Sequence, residues 1–122
     1  VIEVLLCDGD SDDETILHAE KAGARIVRCA DRNRAAQMNA GASKAKGDVL
    51  YFVHADTQLV PEFVEDIRNT LAKGFEAGCN RYVFDSEKFM LKLNAFCTRF
   101  SFLFCRGGDQ TLFIKRSVFE TM

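Results

Sequence analysis

The chain has 122 residues, a formal net charge of −2 and an apolar content of 48%. Those values fit one domain with a buried core and exclude a disordered polar segment. A phosphate-reading surface carries a basic excess, so nucleic acid is not an expected partner. No apolar run reaches membrane length and no leader is visible, so a soluble, cytoplasmic protein is expected. Val1 to Cys7 (VIEVLLC) predicts a buried strand, with Asp8 at its carboxyl end. In the acidic segment that follows, Ser11, Asp12 and Asp13 suit the cap of a helix running to about Lys21 and closed by Gly23.

Arg25 to Cys29 (RIVRC) predicts a second strand, and Asn33 or Asp31 starts an alanine-rich helix, RAAQMNAGASKA, stopped by Gly47. Arg32 and Arg34 at its start suit either a phosphate or a solvated face. The stretch Asp48 to Thr57 (DVLYFVHADT) then holds an unbroken apolar run, Val49 to Val53, as expected for a strand buried on both faces of a parallel sheet. His54 and Asp56 fall two apart where that strand runs out, on one side of an extended chain. Ligands of open α/β sheets bind outside the carboxyl ends of the strands, so polar chemistry is expected there.

Pro61 suits the first turn of a third helix with Phe63, Val64, Ile67 and Leu71 as its buried stripe, and Gly74 and Gly78 bracket its end. Asn80 to Phe84 (NRYVF) predicts a strand, and about Glu87 to Cys105 a long helix with a phenylalanine-rich face, either core, a dimer seam or an acceptor-side wall. Thr111 to Lys115 predicts a last strand after the Gly107-Gly108-Asp109-Gln110 turn. The five cysteines are scattered and odd in number, with no CxxC pair, which fits buried reduced thiols rather than a zinc knuckle or a disulfide framework. The fold class expected is α/β, a mostly parallel sheet flanked by helices in a single domain over residues 1–122.

Asp8, Asp56 and Asp109 each end a separate segment, and a parallel sheet would bring them to one rim. Magnesium and manganese take oxygen ligands, commonly one or two carboxylates completed by substrate phosphates. Asp56 beside His54 therefore suits a metal-diphosphate site, the nitrogen favouring manganese, and Asp109 suits a base for an attacking hydroxyl.

The strings LLCDGDSDDET, NRAAQMNAGASKAKGDVLYFVHADT and GGDQTLFIKRSVF, in this order, resemble the family-2 glycosyltransferases of the GT-A fold. They look closest to the bacterial subgroup with HADT and GDQ motifs. The resemblance implies a Rossmann-like GT-A domain, a nucleotide-sugar donor, a hydroxyl acceptor and Mn or Mg as cofactor. It places Asp8, Gly9, Arg34, Asn39 and His54 at the nucleotide, Asp56 at the metal, Asp109 as the base of an inverting transfer, and Gln110 on the acceptor side. Three positions depart from the family pattern. His54 replaces the first carboxylate of the usual DxD, Gly9 stands where many members have a second aspartate, and Met38 stands where many have an arginine.

Against family members the chain starts at the second strand and stops before a later glycine pair. The expectation is therefore a fragment or shortened relative lacking the usual first strand, whose exposed sheet edge a homodimer would cover. A non-catalytic binding or assembly module of the same fold is the alternative reading. A nucleotidyltransferase is a third, weakened by the lack of a glycine-rich phosphate loop near the start.

Overall fold

The structure is a computed structural model, and it describes residues 3–30, 32–80, 88 and 111–122. Among these residues the elements run β1 (Leu5–Asp8), α1 (Thr15–Lys21), β2 (Arg25–Arg28), α2 (Arg34–Lys44), β3 (Val49–Phe52), α3 (Phe63–Ala72), β4 (Ala77–Cys79), β5 (Leu112–Lys115) and α4 (Arg116–Phe119). The chain divides into two compact units, Val1–Leu50 with Arg116–Met122, and Tyr51–Lys115.

In the first unit β1 and β2 pair in parallel, Leu5 opposite Arg25 and Asp8 opposite Arg28. A parallel pair needs a crossover, and α1 supplies it, closing through Gly23 at φ 85°. Helix α2 packs on β1. Asn33 caps it, its Oδ1 accepting from the amides of Ala35 at 2.9 Å and Ala36 at 3.4 Å. Buried Gly41 lets the helix approach closely, because a Cβ built there would lie 2.5 Å from the Cys7 sulfur. The Glu3 carboxylate accepts from the Lys46 amide at 2.9 Å and pairs with the Arg25 guanidinium at 3.0 Å. The Arg116 amide donates to the Asp48 carbonyl at 2.8 Å and its Nε to the Gly47 carbonyl at 2.8 Å, fixing α4 on the turn before β3.

In the second unit the sheet order is β3-β5-β4, with β4 and β5 antiparallel and Gly78 opposite Phe113. Ile67 of α3, Phe113 and Ile114 form its buried apolar centre. Tyr51 of β3 stacks on Phe63 of α3, with ring centroids 5.5 Å apart. Helix α3 ends at Ala72, followed by Gly74 at φ 91°.

The local expectations fail at several places: β3 stops at Phe52, with only Leu50 buried and Val53 exposed, so it is not a strand buried on both faces. Gly78 does not bracket α3; it lies inside β4, where its missing side chain makes room for the Phe113 ring, 2.6 Å from where a Cβ would be. None of Ser11, Asp12 and Asp13 is the N-cap of α1, which is Glu14 with no side-chain cap bond; Asp13 lies one residue earlier, its Oδ1 accepting from the Thr15 amide at 2.9 Å. The strand expected to reach Phe84 and the phenylalanine-rich helix at about Glu87 to Cys105 lie outside the described residues, apart from Asn80 and Lys88.

Candidate functional site

In the first unit the candidate residues gather where β1 ends. Asp8, the last residue of β1, is only 4% exposed. Its Oδ2 accepts from the amides of Asp10 and Ser11, each at 3.1 Å, in an Asx-type turn that holds Asp10 at φ 69°. The loop's own atoms cover the carboxylate, rather than a depth of protein. The Ser11 hydroxyl and amide, then the Asp10 amide and the Arg28 charge, outweigh the lost water and hold the Asp8 carboxyl below its ordinary range.

Arg32 steadies the same loop, its Nη2 donating to the Asp10 carbonyl at 2.9 Å. Gly9 to Asp13, with Arg32 and Gln37, line a depression of about 220 Å³. That is smaller than pockets that engulf a whole ligand and suits one polar moiety, such as a ribose or a base. Arg34 opens α2 and Asn39 sits midway along it, both exposed. Gln37 was absent from the sequence reasoning; the available signal is its spacing of four from the cap Asn33, which puts both on one helix face.

In the second unit β3 ends at Phe52, and the Thr57 amide donates to the His54 carbonyl at 3.0 Å. His54 and Asp56 therefore sit in one tight turn rather than on alternate positions of an extended strand. Asp56 is exposed and His54 half-buried. Asp109 and Gln110 lie outside the described residues.

Residues 1–120 match the family profile described as glycosyl transferase family 2. The chain belongs to glycosyltransferase family 2. No curated protein and no solved structure matches it. Membership assigns glycosyl transfer as the general activity, with a nucleotide-sugar donor and an acceptor, and agrees with the α/β architecture and parallel pair described above. No helix among the described residues is long and apolar enough to cross a membrane.

Family-2 glycosyltransferases generally use a divalent cation. Among the described residues no three His, Cys, Asp or Glu side chains converge on a common point, so an all-protein cage is not formed by them. A magnesium or manganese ion carried by a diphosphate needs less, one or two carboxylates with phosphates and water completing the shell. Asp56, exposed on the turn after β3, fits that smaller requirement.

Proposed function

We propose that this family-2 glycosyltransferase moves a sugar from a nucleotide-diphosphate-sugar to a hydroxyl acceptor with inversion, both units forming one domain. The observation that carries the reading is the family match, which runs through both units over residues 1–120 and spans all the candidate motifs. Asp8, Gly9, Arg34, Asn39 and His54 would contact the nucleotide, with Arg32 and Gln37 flanking the depression beside Asp8. Asp56 would hold a Mn or Mg ion whose charge offsets that building on the departing diphosphate. Asp109 would take the proton of the attacking hydroxyl as the new glycosidic bond forms and the bond from sugar to diphosphate breaks. Gln110 would face the acceptor. The described cysteines are free thiols, Cys7 and Cys29 half-buried and Cys79 exposed, so the expectation of buried thiols fails at Cys79.

Calorimetric titration with UDP and GDP, each with and without manganese, tests the reading. Metal-dependent binding of one of them is expected, lost on Asp56→Ala. Asp109→Asn should bind as the wild type does and abolish transfer. Binding of neither nucleotide under any condition would overturn the proposal and favour a non-catalytic module.

A further inference from the structure

Two segments of different hydrogen-bonding character line the depression beside Asp8. The loop between β1 and α1 brings the carboxylates of Asp10, Asp12 and Asp13, which only accept. Arg32, just before α2, and Gln37, within it, bring the N–H donors. Carboxylates outnumber the guanidinium, so the depression repels a phosphate and suits an uncharged group that carries donors of its own.

Not all of these groups are open to a ligand. Asp8 Oδ2 is held by the amides of Asp10 and Ser11, and Asp13 Oδ1 by the amide of Thr15. The backbone of Asp10 is engaged on both sides, its amide by Asp8 and its carbonyl by Arg32 Nη2 at 2.9 Å. Asp12 is the carboxylate least committed to the loop, exposed and bonded to no described residue. On the other segment Gln37 is half-buried, and among the described residues its carboxamide has no hydrogen-bond partner. Arg32 keeps further guanidinium donors beyond the one spent on Asp10.

A ribose hydroxyl both donates and accepts, so it makes no use of acceptors on one segment and donors on the other. A base edge, with fixed donors and acceptors, does. Guanine sets N1–H beside its 2-amino group, a pair that a single carboxylate accepts in bidentate fashion, and carries O6 and N7 as acceptors beyond them. Uracil has one N–H between two carbonyls, so a carboxylate bonded to it sets acceptor against acceptor.

We propose that this depression reads guanine, Asp12 accepting from N1–H and the 2-amino group while Gln37 and Arg32 donate to O6 and N7, which makes the donor a GDP-sugar. The inference rests on the reading of the β1 end as the nucleotide site of a glycosyl transfer. It adds to that reading the identity of the base and the residues that select it.

Calorimetric titration of the full chain with GDP, IDP and UDP, each with manganese, tests the proposal; IDP is GDP without the 2-amino group. GDP should bind about tenfold or more tighter than UDP, and IDP about tenfold more weakly than GDP, since one hydrogen bond to a charged group is lost. Asp12→Ala should bring GDP to within about twofold of IDP on the same variant. Gln37→Leu should weaken GDP and IDP alike, by about tenfold, and preserve their ratio, because both carry O6 and N7. The wild-type comparison decides without requiring either variant to fold. UDP binding as tightly as GDP, or more tightly, overturns the guanine reading and leaves glycosyl transfer standing. Equal binding of GDP and IDP by wild type overturns it as well, because the carboxylate then reads nothing. A preference for GDP that both variants leave unchanged overturns the assignment to Asp12 and Gln37. Binding of none of the three overturns the transfer reading, and the guanine reading with it.

Discussion

The approach of α2 to β1 can be tested at Gly41. A Cβ there would lie 2.5 Å from the Cys7 sulfur, where an unstrained contact needs about 3.5–4.0 Å. Gly41→Ala must therefore push the helix outward or turn the thiol, an overpacking strain that typically costs about 1–3 kcal/mol. Against it stands the gain of about 1 kcal/mol from replacing glycine in a helix interior. The net expectation is a loss of roughly 0–2 kcal/mol. Cys7→Ala removes the obstructing sulfur, so in that background Gly41→Ala should turn stabilising by up to about 1 kcal/mol. The double-mutant cycle then gives a coupling of about 1–3 kcal/mol, readable in urea-unfolding midpoints at unchanged m-value. Equal effects of Gly41→Ala in both backgrounds would refute the close contact. The site has a stake in this packing, because Asp8 follows Cys7 and α2 carries Arg34, Gln37 and Asn39.

Gly78→Ala should lower the melting temperature, since the new methyl would sit 2.6 Å from the ring of Phe113, which is 3% exposed and has little room to turn. A melting temperature at or above that of wild type would contradict the Gly78–Phe113 register. The Asp8 carboxyl is held below its ordinary range by Ser11, Asp10 and Arg28, so its contribution is full above the unfolded-state value, about pH 4, and disappears as pH falls through the folded-state value. The stability gap between wild type and Asp8→Asn should thus be widest near neutrality and narrow below about pH 4. A gap independent of pH would show that the ionised carboxylate does not hold the loop.

Much of the fold was legible because its signals are local. Asn33 as a helix cap, Gly23 and Gly74 as helix ends, and the apolar run of β3 each declare themselves within a few residues. The family resemblance was likewise readable from ordered motifs, and the profile match over residues 1–120 agrees with it. Strand β4 was not legible: it is three residues long, centred on a glycine, and the reason for that glycine lies across the sheet in Phe113. The Tyr51 hydroxyl accepts from Asn80 Nδ2 at 2.8 Å and donates to Thr111 Oγ1 at 3.1 Å, partners 29 and 60 positions away, and an apolar run gives no hint that one hydroxyl in it is engaged. At His54 and Asp56 the local geometry differs from the expected extended strand end. Strand periodicity cannot register that a backbone bond from Thr57 has already closed a turn.

The two described strand-end carboxylates look equivalent in sequence, and the structure makes them chemically different. Asp8 spends Oδ2 on two amides of its own loop and is buried by that loop, so its charge is largely committed to keeping Gly9 to Asp13 in shape. On the proposed function, such a group would act on a nucleotide mainly through the adjoining depression, whose wall includes Arg32 bound to the Asp10 carbonyl. Asp56 is exposed on a turn whose closure uses the backbone of His54 and Thr57, leaving the Asp56 carboxylate out of the bond that shapes it. A carboxylate in that position can meet a cation arriving with a diphosphate without first breaking the structure that presents it. The same division predicts which substitutions disturb what: neutralising Asp8 should first cost loop order, and neutralising Asp56 should first cost metal-dependent affinity.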